Sequence, residues 1–326
     1  MGNFEVTSSP HLTRDHRSTR LMMFQVVLAL VPTMIMSVAV FHAYAIFQLA
    51  LCVLTCCVSE WVFESFHKKY WTLGDNSAIV TGLILGLSLP WNAPWYVAVT
   101  ASIVGIGIGK TAYGGLGYNI FNPAMVGRAF AMISFATVMG GAAYQYHGDE
   151  LSGIVTQATP MTMYKSGIDV QMDQNATSLD LLKKGFVSVH NGSLGEASGI
   201  AILLGGIYLI CRKNGGWRTT LGMLVTVFIM GMLTSPNENA LYFGLFYLTN
   251  GAVLFGAFFI ATDPVTNPIT PMGRWYFGIG VGFLTMIFRL FSGYPEGVMF
   301  AVLLMNAVTP LLNQITIPKP FGYQKA

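Results

Sequence analysis

The chain has 326 residues, of which 53% are hydrophobic and 10% charged, with a formal net charge of +3. Because a soluble protein carries about 25% charged residues, this composition excludes an ordinary soluble domain and predicts an all-α polytopic membrane protein. The basic residues are scattered, without the basic patches and interleaved aromatics that bind nucleic acid, so we expect no nucleic-acid partner.

Residues 1–20 are polar and lack the apolar core and small-residue cleavage site of a removable signal peptide. We therefore expect the first membrane helix to act as the insertion signal. A helix needs roughly 20 apolar residues to cross the hydrocarbon core. On this basis about ten spans are predicted: 21–41, 43–66, 78–89, 95–109, 122–138, 195–211, 218–233, 250–262, 275–291 and 296–313. The apolar segment 239–248 is too short to span alone, and it could lie at the interface or extend a neighbouring helix.

Five spans lie on each side of one long polar segment. The predicted units are a cytoplasmic tail (1–20), a first five-helix repeat (21–138), an external loop (139–194), a second five-helix repeat (195–313) and a cytoplasmic tail (314–326). Since each repeat holds an odd number of helices, the second is inverted relative to the first, as in many transport folds. Such a bundle resembles the urea-transporter fold.

Lysine and arginine in short loops set the sidedness of a membrane protein. With the N-terminus inside, twelve of the 17 basic residues, Lys110 among them, fall on the cytoplasmic side. The external ones are Lys165, Lys183, Lys184 and Arg289, and Arg128 lies within a helix. We therefore expect both termini in the cytoplasm and the 139–194 loop outside.

Several polar side chains within or beside the spans need a reason, because polar groups in lipid are costly. Glu60 and Glu64 could form an ion path, or they could be snorkelling charges paired at the interface with Lys68 and Lys69. Arg128 could bind a phosphate or an anionic ring edge, or it could form an ion pair inside the bundle. The cysteines have no CxxC spacing and the histidines no HxxxH spacing, so no metal site is indicated.

Glycine and proline punctuate three further segments. The glycines between Gly105 and Gly117 favour close helix packing over a nucleotide-binding loop, because no strand precedes them. The spans 78–89 and 250–262 are short and end at prolines, which indicates either a binding site near the midplane or simply tilted helices. The polar segment 260–268 suits either a cofactor cradle or ordinary turns.

The chain resembles the family of two membrane proteins, RnfD of the Rnf ion-translocating ferredoxin:NAD oxidoreductase complex and NqrB of the sodium-pumping NADH:quinone reductase. The resemblance covers nearly the whole chain. RnfD is the closer match, since the extended N-terminal region of the quinone-reductase homologue is lacking. The motifs that carry the resemblance are Ser8-Ser9-Pro10-His11, Asn119 to Arg128, Thr156-Gln157-Ala158-Thr159-Pro160 and Ala261 to Thr266.

The resemblance implies that Thr159 carries FMN, esterified through its phosphate by a dedicated flavin transferase. Thr156 and Ala158 belong to the same motif, in which Gln157 stands where the family often has glycine, and Gly153 where an acidic residue is frequent. The family further implies a second, noncovalent flavin such as riboflavin. Asn122, Arg128 and Asp263 are then candidate neighbours of one flavin or the other.

The function that the resemblance implies is electron transfer coupled to Na⁺ or H⁺ movement across the inner (plasma) membrane. The implied partners are the other membrane subunits of the complex, a second FMN-bearing external subunit, and cytoplasmic iron-sulfur and NADH-binding subunits. Three alternatives are a component of the quinone reductase, a flavin-free channel or solute carrier, and a membrane scaffold. The channel hypothesis predicts a colourless protein, whereas the leading hypothesis predicts a yellow, fluorescent one. A quinone-linked activity would select the quinone reductase, and a scaffold leaves the Thr156 to Thr159 segment unexplained.

Overall fold

The computed structural model describes residues 18–67, 73–139, 193–234, 240–292 and 297–318. These ranges form helices, and their only extended pairing is an isolated bridge between Pro90 and Ser193. The α-helices are α1 (Thr19–His67), α2 (Ser77–Ser88), α3 (Trp95–Gly107), α4 (Pro123–Ser134), α5 (Ala136–Met139), α6 (Gly199–Cys211), α7 (Trp217–Leu233), α8 (Ala240–Thr249), α9 (Val253–Phe255), α10 (Pro271–Phe291) and α11 (Val298–Thr316). A π-helix, Gly256–Ile260, continues α9.

The long helix α1 consists of two arms that meet at His42. The backbone of His42 is left-handed in φ (51°) and far from helical in ψ (−131°), which breaks the helix there. This break confirms the predicted boundary between the spans 21–41 and 43–66. The two arms are continuous in sequence and each is apolar, so the break at His42 joins them without a loop.

The same packing scheme recurs in the two halves of the chain. In the first half α1 packs against α2 and α3, and α3 packs against α4. In the second half α7 packs against α8 and α10, and α10 packs against α11. In each half, one helix contacts two others, and one of those two contacts a fourth helix. The same pattern in both halves is expected of an internal repeat. The inverted orientation of the two repeats stays a prediction.

The predicted span 250–262 is wrong as an independent helix. The short segment 240–249 forms α8, and together with α9 and the π-helix it makes one apolar unit bent by 66°. By length and composition, three helices of the described residues could cross a membrane, or four if this bent pair counts as one span. Of the two interpretations of segment 239–248, the extension of a neighbouring helix therefore fits. The two arms do not form one straight helix, because Gly251 between them has a φ of +81°.

Glycines let the helices approach closely. A Cβ at Gly105 would lie 2.8 Å from the Pro123 carbonyl oxygen, and one at Gly82 would lie 2.7 Å from the Val53 Cα. The predicted packing role of the glycines is confirmed for Gly105 in α3. Gly115 and Gly117 instead have positive φ angles of 105° and 96° and belong to the turns after α3.

Contacts between the halves fix their relative placement. α1 packs against α6, and α4 contacts α11. The Leu194 N–H donates to the Leu89 carbonyl over 3.2 Å, and Ser37 Oγ donates to the Leu194 carbonyl over 2.6 Å. The start of the second half is thereby fastened to the C-terminal end of α2. Most of the predicted external loop, most of the N-terminal tail and the end of the C-terminal tail lie outside the described residues.

Candidate functional site: a polar cavity between the two halves

A small cavity lies where the two halves meet, and its volume is about 60 Å³. Both halves contribute side chains to it. The polar and charged lining residues are Ser77, Thr81, Lys110, Asn119, Asn122, Asn214, Thr262 and Asp263. Apolar residues of α1, α2 and the π-helix complete the wall, so polar groups converge in an otherwise apolar interior.

Asn122 enters the cavity as the N-cap of α4. Its Oδ1 accepts from the backbone N–H groups of Ala124 and Met125 at 3.1 and 3.3 Å, and Pro123 occupies the first helical position. These two features make Asn-Pro a strong helix start. The side-chain Nδ2 remains available and donates to Asp263 Oδ2 over 3.4 Å. A capping residue of the first half is thereby joined to the second half.

Asp263 follows the π-helix in the loop that leads to α10. Its Oδ1 accepts from the Val265 N–H at 3.3 Å, and its Oδ2 accepts from Thr266 Oγ1 at 3.1 Å. Burial raises the pKa of the Asp263 carboxyl, and these two hydrogen bonds oppose the rise. Segment 260–268 therefore forms turns, as one of its two interpretations predicted. The same turns line one side of the cavity.

Lys110, which lines the cavity, belongs to a buried ion pair. Lys110 Nζ lies 2.5 Å from Glu60 Oε1, and the two side chains are 2% and 1% exposed. The same Nζ donates to Ser77 Oγ over 2.5 Å. Ser77 Oγ in turn donates to Asp75 Oδ1 over 2.5 Å. A continuous polar chain thus runs from Glu60, deep between helices, to the half-buried Asp75.

One interpretation of these charges is wrong. Glu60 is not a snorkelling charge at the interface, because it is buried and pairs with Lys110. Lys110, which was counted only as a cytoplasmic-side charge, lies in the protein interior just after α3. Glu64 is only partly buried, and Lys68 and Lys69 lie outside the described residues, so the pairing predicted for them stays a prediction.

The candidate flavin neighbours separate into two groups. Asn122 and Asp263 meet in the cavity, whereas Arg128 is buried farther along α4 and does not line it. Thr156, Ala158 and Thr159 lie outside the described residues. Asn122 caps the start of α4, and the described part of the chain ends at Met139, the last residue of α5. The cavity therefore lies at the N-terminal end of α4.

The cavity is of a size for water or a small ion. A water needs roughly 10–15 Å³ of such space, whereas ligand clefts start near ~300 Å³. The assignment of Asn122, Arg128 and Asp263 to a flavin accordingly stays a prediction. Chemically, the arrangement provides an ammonium and two carboxylates, of Glu60 and Asp263, within a network of hydroxyl and amide groups.

Comparison with known proteins places the whole chain in one group. The model of the NQR2, RnfD, RnfE family matches residues 5–322. The chain is 38% identical to the D subunit of the Na(+)-translocating ferredoxin:NAD(+) oxidoreductase complex of Acetobacterium woodii, covering 99% of this chain and 96% of the relative. It is also 38% identical to the D subunit of the proton-translocating ferredoxin:NAD(+) oxidoreductase complex of Clostridium ljungdahlii, covering 99% and 97%. The D subunit of the ion-translocating oxidoreductase complex of Actinobacillus succinogenes is 35% identical over 98% of both chains.

Proposed function

Because this chain belongs to the NQR2, RnfD, RnfE family, we propose that it is the RnfD-type membrane component of an ion-translocating ferredoxin:NAD oxidoreductase complex. The observation that carries the proposal is full-length similarity to relatives named as that component, at up to 38% identity. As one part of a complex it performs no complete reaction alone. It works with the other membrane subunits, an external FMN-bearing subunit, and cytoplasmic iron-sulfur and NADH-binding subunits.

The chain carries FMN on Thr159 in this proposal. The flavin supplies the redox chemistry, and the protein supplies attachment through the threonine hydroxyl. A phosphoester takes no part in electron flow, so its role is to keep the ring within reach of the next carrier. The segment Thr156 to Pro160 follows α5, on the side of the bundle that the distribution of lysine and arginine predicts to be external.

The buried polar cavity supports a role in ion coupling. Glu60 and Lys110 neutralise each other, while Asp263 is held by hydrogen bonds across the joint between the halves. Ionisable groups inside a membrane protein commonly mark the path of an ion or a proton. The coupling ion is not fixed by similarity, since relatives of equal identity are named for Na⁺ and for protons.

The test of the flavin proposal is in-gel fluorescence of the denatured chain under ultraviolet light, together with its intact mass. The chain is produced with an active flavin transferase as wild type, Thr159→Ala and the matched control Thr162→Ala. We expect a fluorescent band and an FMN mass increment in the wild type and in Thr162→Ala, and neither in Thr159→Ala. A dark wild-type band of unmodified mass would refute the covalent flavin and favour a channel.

The same preparation distinguishes the two branches of the family. Electron transfer from reduced ferredoxin to NAD by the assembled complex supports the ferredoxin branch. Reduction of a quinone by NADH would instead identify the quinone-reductase branch. That branch is represented by NQR2 in the name of the family.

A further inference from the structure

An aromatic cleft lies beyond the C-terminal end of α2, whereas the polar cavity lies at its N-terminal end. Ser77, the first residue of α2, lines the cavity, and Trp91, in the turn after α2, lines the cleft. The cleft encloses about 340 Å³ between the second arm of α1, this turn and the start of α3. Among its lining side chains are Tyr44, Phe47, Gln48, Trp91, Asn92 and Trp95. A volume of this size suits a small molecule or a lipid headgroup.

The wall of the cleft is aromatic, and none of the described residues that line it carries a charge. Tyr44, Phe47 and Trp95 are each about 60% exposed. Tyr44 meets Trp91 edge-on with ring centroids 5.6 Å apart, which sets these two rings at an angle to each other. The face of an aromatic ring attracts a cation, most strongly in tryptophan, and several rings around one space can enclose an ammonium group. The wall therefore suits a cation better than an anion.

Gln48 adds a polar group to this wall. The residue is 3% exposed, and its Nε2 donates to the Gly86 carbonyl over 3.3 Å. A carbonyl can only accept, so this bond fixes the orientation of the amide. Within the described residues Gln48 Oε1 is buried and has no hydrogen-bond partner. An acceptor left unpaired in the interior is costly, and an N–H donor would satisfy it.

The donor that fits both features is a primary ammonium. It carries the positive charge that the rings attract, and its N–H groups can donate to Gln48 Oε1. A quaternary ammonium has the charge but no N–H group. Tyr44 and Phe47 lie on the same arm of α1 as Gln48 and are largely exposed, so they can change rotamer rapidly and admit a small donor to the buried oxygen.

The surroundings of the cleft indicate a membrane lipid as the source of the ammonium. Exposed tyrosine and tryptophan are typical of the membrane–water interface, where lipid headgroups lie. Exposed apolar side chains continue from the cleft along both helices. Leu54 and Val58 follow Phe47 along α1, and Ile103 follows Trp95 along α3. A lipid with its headgroup in the cleft would therefore have its acyl chains against an apolar surface.

We propose that the cleft between α1 and the α2–α3 turn binds the headgroup of an aminophospholipid, phosphatidylethanolamine, with its ammonium against the aromatic rings and donating to Gln48 Oε1. An ordinary belt of interfacial aromatics accounts for exposed Tyr44 and Trp95 but gives no reason for the unpaired acceptor beside them. This interaction is separate from the proposed electron transfer, and its test does not depend on a flavin.

The test is native mass spectrometry of the full chain, purified in detergent and incubated with equal amounts of phosphatidylethanolamine and phosphatidylcholine that have the same acyl chains. The second lipid keeps the charge and lacks the N–H group. A hydrogen bond to a charged group corresponds to roughly a tenfold preference or more, so the wild type should retain phosphatidylethanolamine by at least about that factor.

Two variants separate the contribution of the acceptor from that of the rings. Gln48→Met should remove the preference and leave retention of phosphatidylcholine unchanged, whereas Gln48→Glu, which also loses the amide donor but keeps an acceptor, should preserve the preference. Trp95→Leu removes an exposed ring without disturbing the core. It should lower retention of both lipids about 2- to 30-fold and leave their ratio unchanged.

The matched control is Trp61→Leu, which changes a half-exposed tryptophan near the other end of α1 and should match the wild type. Equal retention of the two lipids by the wild type would overturn the proposal, and so would an intact preference in Gln48→Met. Equal losses in Trp61→Leu and Trp95→Leu would also overturn it, because they would show an unspecific effect of interfacial tryptophans.

Discussion

Removing one partner of the Glu60–Lys110 pair should destabilise the protein strongly. The two charges are 2.5 Å apart and at most 2% exposed, so solvent cannot replace either partner. Breaking a buried pair from one side costs about 3–5 kcal/mol, because the remaining charge stays buried without compensation. Lys110→Met also deprives Ser77 of its contact with the ammonium, so we expect a loss in the upper part of this range.

The assay is a double-mutant cycle on Glu60→Met, Lys110→Met and the double variant. The free energy of unfolding is measured in detergent micelles by denaturant titration of tryptophan fluorescence. Replacing both partners with apolar side chains of similar length is often neutral or stabilising, so the double variant should be more stable than either single variant. Losses that add within about 0.5 kcal/mol would show that the charges are not coupled, and the reasoning would fail.

Three further changes test other parts of the structure by the same unfolding titration. Gly105→Ala places a Cβ 2.8 Å from the Pro123 carbonyl oxygen and should cost about 1–3 kcal/mol, whereas Gly74→Ala meets nothing within 4 Å and should be nearly neutral; equal effects would contradict the close packing of α3 on α4. Asn122→Ala should cost about 0.5–2 kcal/mol, and Asn122→Ser, which keeps a cap but loses the bond to Asp263, should recover most of it; a Ser variant as unstable as Ala would refute the capping role. Because burial raises the pKa of Asp263, the wild type should lose stability as the pH rises from the ordinary range of a carboxyl through the raised value. Asp263→Asn should not show this loss, so its stability relative to the wild type should increase with pH. A stability difference that does not change with pH would contradict the assignment.

Local patterns predicted much of the helical framework. Apolar runs and prolines placed α2 within one residue of its predicted bounds, and the break at His42 fell where the two runs meet. Asn122 and Asp263 were both recognisable as polar groups beside apolar spans. The sequence could not show that they meet, because 141 positions separate them.

The errors share one physical origin. Glu60 was assigned to partners close by in the sequence, yet its partner is 50 positions distant, just after another helix. Lys110 and Arg289 were assigned only to a side of the membrane, and the sequence did not show that both are among the largest fully buried side chains. Spacing along the sequence shows which residues are neighbours on one helix. The partner of a buried charge lies on a different helix, which spacing does not show. Moving Lys110 and Arg289 out of the loop count removes one residue from each side, so the predicted sidedness is unaffected.

The burial of Arg289 has a consequence for how the chain enters the membrane. Its guanidinium donates to the carbonyls of Tyr247 at 2.6 Å and Asn250 at 2.8 Å, at the break between α8 and α9. A ribosome makes those carbonyls about 40 residues before it makes Arg289. Until α10 emerges, the carbonyls at the break have no guanidinium to bind, and an arginine in the membrane without such partners is costly.

We therefore expect insertion of the second half to be cooperative across helices. The bent pair α8–α9 and α10 can satisfy each other's polar groups only after both have been synthesised.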